Sequence, residues 1–355
     1  MFRTIRSLNR LMIVFVALST IGAGCISIKK DSSGADGGLF RSPDKGDHWS
    51  KLVSLPSPRG VGSIAGVDVI EISFDPQDAS AIYLGTVAHG LFYSYDGGAS
   101  WQQADDIAAG RVAAVAVNPR DKCTIFAAIG NRILKSTDCN RSFQAAYTDT
   151  REGAVITSMV IDWYNPRNVW AATAKGDLVR SADEGATWSV VRRFDDAVQK
   201  IVIYSRDSRV VLVGLKTSGL YRTVDGGQSW VELRRVFDEF TGSRNFYGLA
   251  EIKTEENAFV YASKFGLLKT TDGGDHWAKI ETLTPPGSTI IYSLATNSKN
   301  GREIYYATGN TIYRSVDGGA TWTPKKLPTT RAGTALVVSP SDGSVIYLGG
   351  SVIKK

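Results

Sequence analysis

Histidine, cysteine and methionine are scarce in this 355-residue chain, with three of each. The scattered His48, His89 and His276, with so few cysteines, offer no cluster at metal-ligand spacing, and no metal centre is expected. Glycine is abundant but follows a repeating turn pattern and not the loop that cradles a phosphate, so no cofactor is expected. One long apolar run exists, Leu11 to Ile21, and its eleven residues are too few to span a bilayer comfortably. Excess charge is small as well. The formal net charge is +6, and three of the cations, Arg3, Arg6 and Arg10, precede that apolar run. Without them the balance is +3, which does not suggest a nucleic-acid binder.

What is present points to a β-rich globular protein: 43% hydrophobic residues, 36 Gly, 14 Tyr and 8 Trp. The basic start, the apolar run and the small residues Gly22-Ala23-Gly24 before Cys25 resemble a bacterial lipoprotein signal. Gly22 stands where that pattern prefers Leu; an ordinary signal peptide or an uncleaved short anchor are the alternatives. The resemblance implies that residues 1–24 are removed and Cys25 is acylated. The chain is then exported and held at a membrane of the cell envelope. Residues 25–36, polar and aperiodic, read as a flexible tether.

From Gly37 onward one nonapeptide returns seven times: RSPDKGDHW (41–49), YSYDGGASW (93–101), KSTDCNRSF (135–143), RSADEGATW (180–188), RTVDGGQSW (222–230), KTTDGGDHW (269–277) and RSVDGGATW (314–322). Its aspartates are Asp44, Asp96, Asp138, Asp183, Asp225, Asp272 and Asp317, at gaps of 52, 42, 45, 42, 47 and 45 residues. A period in the forties with strand-like content predicts a β-propeller with one four-stranded blade per repeat. Between the second and third boxes the strands are predicted at Val112–Val117, Thr124–Ile129, Arg132–Ser136 and Ser142–Ala146. Turns such as "NPRD" (118–121) end the inner strands, because Pro cannot donate to a ladder.

The stretch Ser/Thr-x-Asp-x-Gly-x-Ser/Thr-Trp resembles the Asp-box, or BNR repeat. It is shared by sialidases, sortilin-type receptors, xyloglucan-degrading hydrolases and the photosystem II assembly factor family. The resemblance covers residues 37–355 and implies an all-β, seven-bladed propeller. In each box the Asp accepts turn hydrogen bonds and Gly supplies the positive φ. Trp49, Trp101, Trp188, Trp230, Trp277 and Trp322 are expected to fill the space beside the next blade. These aspartates are therefore structural, and no residue is assigned a catalytic role. Residues 332–350 supply two inner strands and residues 37–53 two outer ones, which together close the seventh blade. The terminal "SVIKK" (351–355) looks like a third strand whose place is already taken.

Ligands are expected on the face opposite the boxes, over the channel. The loops entering the inner strands hold Arg59, Arg111, Arg151, Arg192, Arg193, Arg234, Arg235, Arg244 and Arg331, a candidate rim for carboxylates. A protein or glycan partner is expected there, with the chain itself a monomer. The assembly-factor resemblance implies a scaffolding role for a membrane complex. The alternative is a glycoside hydrolase of sialidase or xyloglucanase type, for which Glu239, Tyr247, Tyr292 and three arginines would have to share one pocket. Cys123 follows the "NPRD" turn and Cys139 replaces a box Gly. Antiparallel pairing brings both positions together, so a disulfide is expected.

Overall fold

The computed structural model describes residues 36–233 and 237–353; Cys25, the signal, the rest of the tether, Arg234 and Arg235 lie outside them. The described residues form seven four-stranded antiparallel sheets, one two-stranded hairpin and no α-helix. Each sheet is a blade whose first strand faces the channel. In blade 2 the strands are Val112–Asn118, Asp121–Ile129, Arg132–Ser136 and Gln144–Thr148. The outer strand starts two residues later than predicted because Ser142 is held in the turn, its hydroxyl donating to Asp138 at 2.6 Å.

Second strands such as Val169–Thr173, Val211–Leu215 and Phe259–Ser263 are buried at every position. A strand covered on both faces has no polar side, so its sequence is a short apolar run. The coverage comes from neighbouring blades, and each of the seven apolar clusters joins two of them. Blade 7 runs Ala332–Val338, Ile346–Ser351, Leu39–Ser42, Ser50–Leu52 from the channel outward, with Phe40 opposite Leu348. Ser351 ends the second strand, and Val352 and Ile353 lie exposed beyond it; the third place belongs to Leu39–Ser42. A hairpin of Ser54–Ser57 and Gly60–Ser63, unpredicted, links blade 7 to blade 1.

Every box folds alike. In blade 3, Ser181 Oγ donates to Asp183 and accepts from Gly185 N, while Thr187 donates to Asp183 through both N–H and hydroxyl. In two boxes histidine replaces that hydroxyl: the rings of His48 and His276 lie 2.6 and 2.8 Å from Asp44 and Asp272. These hydrogen bonds draw the carboxyls of Asp138, Asp183 and Asp317 down to about 2, the hydroxyl four residues on contributing most. Asp44 is also at about 2, chiefly through the His48 N–H. In Asp96 and Asp272 burial opposes the shift, but the combined hydrogen bonds still lower both.

The box aromatics correct the expectation: they pack on the preceding blade, not the next. Trp101 Nε1 donates to Leu52 O and Trp322 Nε1 to Glu281 O, each one blade back. The cause is the second box glycine, which sits directly on that blade. A Cβ at Gly227 (φ 92°) would lie 2.8 Å from Trp170, and one at Gly319 (φ 96°) 2.5 Å from Ile280. At Gly227 and Gly319 only a residue without Cβ permits both the conformation and the approach. In the other direction, the residue before the box Ser or Thr reaches forward. Lys135 Nζ donates to Glu184 O, Arg180 to Gly226 O and Arg222 to Gly273 O.

Candidate functional site at the channel mouth

Boxes and first-to-second-strand turns share one face, as shown by Gly97 N donating to Ser80 O and Gly226 N to Arg209 O. The inner strands therefore begin on the opposite face. There, six of the seven carry a register shift within their first residues. The extra residues are Ile70, Ala113, Thr157, Gln199 and Tyr247, with Gly333 and Thr334 in blade 7. A bulge re-aims side chains and ends regular pairing, and it is common beside binding sites.

These residues surround a channel mouth with two halves. One, of about 310 Å³, is lined by Arg111, Ala113, Thr157 and Ser158. The other, of about 290 Å³, is lined by Tyr247, Tyr292, Ser293 and Thr334. Tyr292 borders both halves, as do Glu71 of blade 1 and Lys200 of blade 4, which mark a charged line across the channel. Glu71 keeps partial solvent contact inside the channel but is enclosed by protein, and burial raises its pKa, offset in part by the Lys200 charge. Burial, and then the nearby Tyr292, raises that of Tyr247. The site thus offers a cationic polar half, an aromatic half and a carboxyl between them.

The arginine rim is not continuous. Arg111 lines the channel, and Arg59 is exposed on the linking hairpin. Arg151 is neutralised by Asp149 and Asp177, and Arg244 pairs with Asp238. Arg192 and Arg193 lie in the outer strand Ser189–Arg193 and not in a loop. Arg192 stacks on Phe194 and Tyr221, and Arg193 reaches Asp177 at 3.4 Å. Arg331 is only 7% exposed and bridges Asp68 at 2.7 Å, so it clasps blade 7 to the segment before blade 1. Tyr247 and Tyr292 share the channel, whereas Glu239 is exposed and is not among its lining residues.

A disulfide joins Cys123 to Cys139. Among the described residues no group of three or more His, Cys, Asp or Glu could hold a metal ion. None of their helices is long and apolar enough to cross a membrane. Sequence reasoning missed Glu71, Gln199 and Lys200, which carry no motif; the signal available was their recurrence at the start of predicted inner strands.

A xyloglucanase from Paenibacillus sp is 25% identical over 347 residues, covering 79% of this chain and 33% of that enzyme. Among solved structures, the GH74 xyloglucanase from Xanthomonas campestris matches with a TM-score of 0.66 at 19% identity, covering 80% of this chain and 51% of that one. The chain thus spans about a third to a half of these enzymes. YCF48 bound to D1 peptide matches with a TM-score of 0.61 at 16% identity, covering 80% of this chain and 94% of the other. YCF48 from Cyanidioschyzon merolae gives 0.62 at 15% identity, with 80% and 95% covered. At these identities the structural matches show the fold alone. The family described as Photosynthesis system II assembly factor YCF48 matches residues 16–204 and 189–348. Nearly the whole propeller lies within those two overlapping spans, and the chain belongs to that family.

Proposed function

We propose that this chain is an exported, lipid-anchored propeller that holds a polypeptide segment of a membrane-associated partner at the channel mouth, as an assembly or scaffolding factor. The observation that carries this reading is the Glu71–Lys200 line, with Arg111 on one side, Tyr247 on the other and Tyr292 bordering both. Opposed charges fix a segment's direction, and tyrosines supply contact area at low entropic cost. Family membership supports the same reading, since one YCF48 structure was solved with a peptide. Hydrolysis by the paired-carboxylate route takes two acids, and among the described residues the mouth is lined by one, Glu71. The sialidase type needs three arginines, and among the described residues of the candidate rim Arg111 alone lines the channel.

A photo-crosslinking residue at position 199, in the membrane-anchored protein within its own cells, tests the reading. A protein adduct is expected that disappears in Lys200→Glu and weakens with added salt, since exposed charges are screened. Adducts insensitive to both, or obtained only from box positions such as 187, would overturn it. Anchoring has its own readout. Cys25→Ser should leave the protein soluble or unprocessed while the parent partitions with membrane detergent, and equal partitioning would remove that part.

A further inference from the structure

At six of the seven seams between blades, the residue before the box Ser or Thr is Arg or Lys: Arg41, Lys135, Arg180, Arg222, Lys269 and Arg314. At the seam between blades 1 and 2 it is Tyr93, followed by Tyr95, a residue found at that place in no other box. The facing box is also the one that departs most from the pattern, with Cys139 and Asn140 for the glycines and Phe143 for Trp. Four of these departures, Tyr93, Tyr95, Cys139 and Asn140, meet at one place. Between the two blades, on the box face, lies a cavity of about 430 Å³ lined by Asp75, Asp78, Tyr93, Tyr95, Gln102, Lys122, Cys139 and Arg141.

We propose that this seam is a binding site for a neutral saccharide. Tyr95 is 46% exposed and lies 5.3 Å from Tyr93, ring centre to ring centre, at an angle of 56°, giving an angled aromatic platform open on the Tyr95 side. Both rings are held by their polar ends. Tyr93 OH donates to Gln102 at 3.1 Å, and Tyr95 OH accepts from Asn140 Nδ2 at 2.8 Å. Asn140 is 4% exposed and adopts φ 68°, a conformation Asn tolerates, so the residue that replaces Gly is the one that positions the platform. The disulfide does the same for the rim, because Lys122 adjoins Cys123 and Arg141 lies two residues past Cys139. An aromatic face stacks on the C–H side of a sugar ring, while Asp75, Asp78, Gln102, Lys122 and Arg141 offer acceptors and donors to hydroxyls.

Two carboxylates balance two cations around the cavity, so a charged ligand gains nothing and a neutral polyol matches. The volume falls in the range of about 300–1,000 Å³ of small-molecule sites and is too confined for a stable protein interface. This inference stands on a different face from the channel mouth and does not rest on the reading proposed for it.

Calorimetric titration of the full-length protein in detergent, with neutral oligosaccharides built from glucose, galactose, mannose and xylose and with acidic oligosaccharides of uronic acids, tests it. At least one of the neutral sugars should bind. Tyr95→Ala should weaken that binding about tenfold or more, the scale of one lost ring contact, and Tyr95→Phe should retain most of it. Tyr93→Arg, which restores the residue of the other seams, should also abolish it at unchanged melting temperature. Tyr164→Ala, an exposed tyrosine elsewhere, should leave it unchanged. No binding across the panel, binding of acidic sugars only, or binding indifferent to both Tyr93 and Tyr95 variants would overturn the proposal.

Discussion

The seam between blades 3 and 4 and the seam between blades 1 and 2 solve one packing problem in two ways. At the first, Arg180 stacks on Trp170 and donates forward to Gly226 O, while Gly227 lies flat on Trp170 and Trp230 packs beside Phe194. At the second, the cation, both glycines and the Trp are gone, and tyrosines, an asparagine and a disulfide take their place. The first way is dense, although the seam between blades 2 and 3, with Lys135 in place, keeps a cavity of about 270 Å³. The second leaves space. A repeat that is free to vary loses its aromatic and its glycines without gaining anything, whereas here every loss is matched by a specific replacement.

The comparison can be broken most severely at Gly227. Gly227→Val places a β-branched residue at φ 92° with its Cβ 2.8 Å from the buried Trp170. A loss of about 3 kcal/mol or more is expected in urea unfolding, and a loss below about 1 kcal/mol would mean that the regular seam is not tightly packed. The irregular seam is tested next. Replacing Cys123 and Cys139 by Ser opens a loop with a sequence separation of 16 and should cost about 3 kcal/mol. Wild-type stability that is equal with and without reductant would refute this.

Acid gives the smallest effect and should not distinguish the seams, because Asp138 in the irregular box is lowered to about 2 like Asp183 and Asp317 in regular ones. A carboxyl lowered on folding contributes stability that is complete above its unfolded pKa, 3.8 for Asp, and is lost as pH falls toward 2. The melting temperature should thus decline modestly between about pH 4 and pH 2. Glu71, Asp75 and Glu251 are raised by burial, run the opposite way and blunt the fall. A sharp loss already at pH 5 would contradict this sign.

The blade count, the closing blade and the shared turn face were legible because each rests on local spacing: a box, a Pro turn, alternating strands. Which neighbour a box Trp touches was not, since that depends on how blades twist around the ring. Nor was the fate of the arginines. Arg331 and Arg111 occupy equivalent loops in sequence, yet one is buried against Asp68 and the other lines the channel. Bulges hide for a similar reason. In "VDVIEISFD" the extra Ile70 leaves the apolar alternation nearly intact while it re-aims Glu71.

The blade assembled from both ends of the described chain has a consequence in time. Leu39–Ser42 finds its partner only when Ile346–Ser351 exists, so during synthesis its edge waits while six blades form. Closing so long a loop costs little more free energy than closing a short one, because the cost grows with the logarithm of length. It is slow to occur, however, as contacts distant in sequence are. Ring closure is then the natural last event of folding, and the Arg331–Asp68 clasp sits where the ring would first reopen. The lifetime of the folded ring is governed there, at a joint whose two residues each lie three positions before a lining residue of the channel mouth, Glu71 and Thr334.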